Sequence, residues 1–236
     1  MINFILEHQN LITYTVEIIA AIFGSYYISR KNNSVLKIFV YYLWITVFVE
    51  IIGAYGYLLQ NNYDYEWYVA LKNGVFCSNT WLYNIYDFLA IGLIGLFYSN
   101  LMTSKIFKNS IRLIFIAYAL FAFGFFTSND TFFVKSLPYS FIFGTASICV
   151  YITFYFIELM RSDELLSFFK LPSFYISIGL LIWYLCFTPL FIFEEYLYDM
   201  NTKFVAFRIK CLLFINVFTY LCYTFGFWYS LKMSKQ

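Results

Sequence analysis

Of the chain's 236 residues, 62% are hydrophobic and only 12% are charged, and the net charge is +2. That is more apolar surface than one water-soluble core hides, so the chain reads as an all-α, polytopic integral membrane protein with no polar segment long enough to be a soluble catalytic module. Basic residues scattered singly among the connectors exclude a nucleic-acid-binding stripe.

Seven apolar runs are long enough to cross a bilayer as helices, at residues 10–29, 36–60, 78–102, 111–128, 138–160, 172–194 and 205–231. Together they make residues 1–236 one seven-helix transmembrane domain, with the fourth span the shortest. The opening residues, MINFILEHQN, lack the basic stretch and small-residue cleavage site of a secretory signal, so the first span is expected to remain in the protein. Ten of the fifteen Lys and Arg residues, from Arg30 and Lys31 to Lys232 and Lys235, fall on one side of the bundle. The positive-inside rule then sets the amino terminus outside and the carboxyl terminus in the cytoplasm. Two outer connectors, Asn61–Phe76 with Trp67 and Glu195–Lys203 with Tyr196, Tyr198 and Asp199, read as interfacial segments anchored by aromatics.

Gly53 with Gly56, and Gly92 with Gly95, are small residues one turn apart and mark close helix contacts. Pro189 is expected to kink the sixth span in its outer half. GLFYSNLM at 95–102 resembles GFWYSLKM at 226–233, and the same offset carries the first span onto the fifth and the second onto the sixth. That is the pattern of a three-plus-one-plus-three bundle. Under this offset Glu17, Glu50 and Asp87 fall on Ile148, Leu181 and Phe218, so the polar chemistry sits in one half.

The residues that carry a functional question are charges inside the spans. Glu17, Glu50 and Asp87 lie within the first, second and third, and Arg208 and Lys210 just inside the seventh. At about 1.5 Å per residue all five fall roughly 5–15 Å below the outer boundary, although their spans run in different directions. A lone ionised side chain at that depth costs on the order of 3 kcal/mol. Pairing is the natural escape, so a cluster among the first, second, third and seventh spans is expected. Asn84, one turn before Asp87 on the same face, is placed to hydrogen-bond across it. The competing expectation is that each charge reaches headgroups or solvent alone. Glu158, three residues before Arg161, reads as half of a local helix pair.

Several chemistries drop out. His8 is the only histidine, which excludes multi-histidine zinc sites, and there is no HExxH, GxSxG or Gly-rich phosphate loop. A retinal Schiff base on Lys210 fails on depth and on Ala206, which stands where an Asp would be needed. The five cysteines, with no CxxC among them, read as small buried hydrophobes. No cofactor or metal is expected.

The block NTWLYNIYDFLAIGLIGLFYSNLM at 79–102, followed after a basic loop by LPSFYISIGLLIWY at 171–184, resembles uncharacterised seven-helix membrane proteins of AT-rich bacteria. In these a similar Asn-aromatic-Tyr-Asn segment precedes an acid on the third helix. The resemblance implies the seven-helix fold and a multi-pass place in a bacterial inner membrane, and it implies no activity. The leading functional expectation is a non-enzymatic sensor or signalling module that binds a small ligand, ion or proton through Glu17, Glu50, Asn84, Asp87, Arg208 and Lys210. Its partners would be the bilayer and a separate cytoplasmic or membrane signalling protein. The alternatives are a small transporter of the three-plus-one-plus-three kind and a structural or pore-forming subunit. A lipid-acting enzyme is weakest, because no nucleophile, metal site or triad can be named.

Overall fold

The structure is a computed structural model that describes residues 9–59, 61–128, 132–133, 138–197 and 202–233. His8, Tyr198 and Asp199 lie outside the described residues, as do Lys135 and Lys235. The helices are α1 (Gln9–Lys31), α2 (Ser34–Gly53), α3 (Tyr55–Leu58), α4 (Glu66–Asn73), α5 (Thr80–Leu101), α6 (Lys105–Ser128), α7 (Pro138–Met160), α8 (Pro172–Leu197) and α9 (Thr202–Met233). A 3-10 helix, Asp163–Lys170, joins α7 to α8, and there is no strand among the described residues. Seven of these stretches are long and apolar enough to cross a membrane: α1, α2 with α3, α5, α6, α7, α8 and α9. The protein is a multi-pass membrane protein, because helices that satisfy their own backbone hydrogen bonds are what such runs form in lipid.

Neighbouring helices close into a ring in the order α1, α2, α5, α7, α8, α9 and back to α1. The fourth span, α6, stands outside this ring and packs only on α5 and α7 among the main contacts. Ile106, Leu113, Leu120 and Phe123 on its outer side are exposed, as lipid-facing side chains should be. Three spans, one peripheral span and three spans is the arrangement that the internal likeness implies.

Local chemistry sets the joints. Asn32 takes a left-handed backbone conformation (φ 42°), which asparagine tolerates, and turns the chain in two residues. The Asn33 side chain then accepts from the backbone N–H groups of Val35 (3.0 Å) and Leu36 (3.1 Å) and caps α2. The second span, expected over 36–60, runs over Ser34–Leu58 with a one-residue irregularity at Ala54 between α2 and α3, where the Asn79 amide at the start of α5 donates to the Gly53 carbonyl at 2.9 Å. The sixth span runs helical through Pro189. There the Thr188 hydroxyl donates to the Tyr184 carbonyl at 2.6 Å and meets the Thr145 hydroxyl of α7 at 2.9 Å.

The fourth span is longer than the sequence suggests, starting at Lys105 and not at 111. The reason is Glu158, which does not form the expected local pair with Arg161. Its Oε1 accepts from the Thr103 N–H (2.5 Å), from the Thr103 hydroxyl and from the Ser104 N–H (3.3 Å), so α7 supplies a carboxylate to the amino-terminal end of α6. Glu158→Ala is expected to destabilise the detergent-purified protein by about 1 kcal/mol, while Glu158→Gln, which keeps an acceptor, loses less. Equal thermal unfolding temperatures for all three proteins would remove this capping role.

The four glycines expected at close contacts are all found there. A Cβ on Gly53 would stand 2.7 Å from the Tyr83 hydroxyl, on Gly56 2.9 Å from the Asn79 amide, on Gly92 3.1 Å from Phe115 and on Gly95 3.4 Å from Tyr151. The cysteines depart from expectation. All five are free, Cys77 and Cys186 are exposed, and Cys149, Cys211 and Cys222 are only partly buried, which places them towards the bundle surface.

Candidate functional site: a two-faced chamber between six spans

A cavity of about 450 Å³ lies inside the ring and is lined by residues from every ring span. It reaches the start of α5 at Asn79 and Thr80, and therefore runs towards the bundle end that carries α4. Its two faces differ in chemistry. The first three spans contribute Glu17, Glu50, Asp87, Thr46, Tyr83 and Tyr86, while α7 and α8 contribute only Phe141, Trp183, Phe187 and Phe191. Helix α9 closes the gap with Arg208, Leu212, Asn216 and Tyr220, one face of a helix read every fourth residue.

The acids are held differently. Glu17 is 4% exposed and hydrogen-bonds Tyr220, and among the described residues its Oε2 has no hydrogen-bond partner. Glu50 accepts a hydrogen bond from the Tyr83 hydroxyl at 3.1 Å. The Tyr86 hydroxyl meets that of Thr46 at 2.8 Å, which fixes α5 against α2 beside Asp87. A side pocket of about 270 Å³ shares Glu50, Arg208, Leu212 and Asn216 with the chamber and extends between α1 and α9 to Asn10 and Tyr14.

Opposite the acids the aromatic wall is tightly built. Trp183 and Phe187 stack with centroids 4.6 Å apart and planes at 7°. Phe141 lies 5.2 Å from Phe187 and 4.9 Å from Phe191. The Trp183 indole N–H donates to the Asn216 Oδ1 at 2.8 Å, which ties the wall to α9 and fixes the ring plane.

Of the six residues singled out from sequence, Glu17, Glu50, Asp87 and Arg208 line this chamber, and two do not. Lys210 is exposed, because two residues past Arg208 is about 200° around a helix and turns its side chain away. Asn84 is buried, but its amide donates to the Phe132 carbonyl at 2.8 Å and anchors the α6–α7 connection. The connector 61–76 carries α4 and lines no part of the chamber. Tyr68 packs inward while Tyr65 and Trp67 remain exposed, and the Lys72 ammonium donates to the Asn61 carbonyl at 2.9 Å. The aromatic wall was missed, yet it had a signal: Trp183, Phe187 and Phe191 recur every four residues on one helix face.

Beyond the chamber the ring is filled. Phe39, Phe97, Tyr98 and Tyr223 are at most 1% exposed, Phe39 meeting Phe97 at 5.5 Å and Tyr223 edge-on at 5.0 Å. The Tyr98 and Ser177 hydroxyls meet at 2.7 Å and join the two three-span halves. Past this layer, at the end that carries the 3-10 helix, a second hollow of about 500 Å³ is again lined by all six ring spans, including Tyr27, Leu36, Met102, Tyr155, Ser173 and Ser230. Comparison of the chain with models of protein families, with curated proteins and with solved structures finds no match in any of the three.

Proposed function

We propose that this chain is a ligand-binding module of a bacterial cytoplasmic membrane, with its amino terminus outside, which takes a small molecule into the chamber and passes the change to a partner on the cytoplasmic side. The observation that carries the reading is the chamber's position. An occupant there touches all six ring spans at once, so binding biases their packing as one body. The orientation is supported by Arg30, Lys31, Lys105, Lys108, Arg112, Arg161, Lys170 and Lys232, which all cluster at the end bearing the 3-10 helix.

The test is access. With the five cysteines replaced, Asn216→Cys should react in intact cells with a maleimide that does not cross membranes. Labelling only after the membrane is broken would overturn the proposed orientation, and no labelling under either condition would overturn a chamber that solutes reach.

A second reading, transport, is favoured by the second hollow. Two cavities bounded by the same six spans and separated by one packed layer match what alternating access requires. For purified protein in liposomes, uptake of a solute that the protein binds favours transport, and binding without uptake favours sensing.

A further inference from the structure

We infer that the chamber's ligand is a small organic cation, an ammonium group carried on an apolar or aromatic body. The inference rests on the reading of the chamber as a ligand site and assigns the ligand's chemistry. Three carboxyl side chains and one guanidinium line the space, so acceptor groups outnumber cationic donors there. A cluster of acids alone would say little. The decisive group is Glu17, nine-tenths buried at the chamber wall, with an oxygen that no described donor satisfies. A buried carboxyl oxygen without a donor is costly, and an ammonium group supplies one.

The guest is not a bare metal ion. Among the described residues no three of His, Cys, Asp and Glu come close enough to share one, so the three acids are spread around the space and not focused on a point. The opposite wall says what the rest of the ligand is. Trp183, Phe187, Phe141 and Phe191 offer aromatic surface and no hydrogen-bonding group beyond an indole N–H already engaged by Asn216. Such a wall accepts an apolar body, and its ring faces attract a cation. A volume of about 450 Å³ admits a molecule of metabolite size with room for water.

Three probes of nearly equal shape test this on the detergent-purified protein by titration calorimetry: 2-phenylethylammonium, 2-phenylethanol and 3-phenylpropanoate. The ammonium is expected to bind at least about tenfold more tightly than the alcohol, with no binding of the carboxylate. Glu17→Gln should reduce that preference by about tenfold, and Trp183→Leu should weaken the ammonium and the alcohol together. The comparison within the wild-type protein stands even where a variant fails to fold. Equal affinity for the ammonium and the alcohol, or tighter binding of the carboxylate, would overturn the cationic assignment while leaving a ligand chamber in place. No binding of any probe overturns it as well, and the labelling of Asn216→Cys then decides separately whether the chamber itself stands.

Discussion

Replacing Glu17 by Leu is expected to make the protein more stable and to abolish its affinity for an ammonium ligand. Glu17 is 4% exposed and hydrogen-bonds Tyr220, yet its Oε2 is unpartnered among the described residues, so its burial is compensated only in part. Removing such a group in favour of an apolar side chain of similar size relieves about 1 kcal/mol after the loss of the Tyr220 contact, which for a chain of this length raises thermal unfolding by roughly 3 °C. Glu50 provides the internal comparison. It lines the same chamber but accepts from the Tyr83 hydroxyl at 3.1 Å, so Glu50→Leu strands a donor and should cost about 1 kcal/mol. Opposite signs for two acids in one cavity are the signature of a site that keeps one acceptor unsatisfied for a guest. A fall in unfolding temperature for Glu17→Leu as large as that for Glu50→Leu would show that Glu17 serves packing and nothing more.

What could be read before the structure follows from which forces are local in sequence. Seven spans are legible because lipid imposes length and apolarity on each run independently. The first turn of α6 was not, because Lys105, Lys108 and Arg112 dilute its hydropathy and the carboxylate that caps it comes from Glu158, 55 residues after Thr103. The irregularity at Ala54 was hidden for a similar reason, since the amide that takes the Gly53 carbonyl belongs to Asn79. Glu17, Glu50, Asp87 and Arg208 stood out because a charge inside an apolar run is an anomaly wherever it points. Direction was the harder quantity. Counting depth alone admits Lys210 beside Arg208, whereas the four-residue spacing of Arg208, Leu212, Asn216 and Tyr220 selects the inward face and rejects it. The aromatic wall drew no attention because Phe and Tyr are everywhere in this chain, 31 and 24 of them, so composition carried no contrast.

Gly179→Val is expected to be the most damaging single substitution away from the chamber, lowering thermal unfolding by on the order of 10 °C. Gly179 was not picked out by its spacing, since it has no glycine partner one turn away. It sits where α8 and α9 come closest. A Cβ there would stand 2.6 Å from Cε1 of Tyr223 and 3.4 Å from the Thr219 carbonyl oxygen, and the branched methyls of valine reach further. Tyr223 cannot step aside. It is 1% exposed, edge-on to Phe39 at 5.0 Å and to Tyr220 at 5.7 Å, and it belongs to the layer that separates the two hollows. The carbonyl of Gly179 also accepts from the Thr219 hydroxyl at 3.3 Å, so prising the helices apart loses a polar contact with the packing. Gly124→Val is the control. It adds the same side chain to a transmembrane helix at a place where a Cβ meets nothing within 4 Å, and it should shift unfolding by no more than about 3 °C. If both variants unfold alike, helix propensity and not close approach governs the glycines of this bundle. If only Gly179→Val falls, and the loss is accompanied by labelling of a cysteine placed at Ser177, then the layer built on Phe39, Tyr98 and Tyr223 is what keeps the two hollows apart.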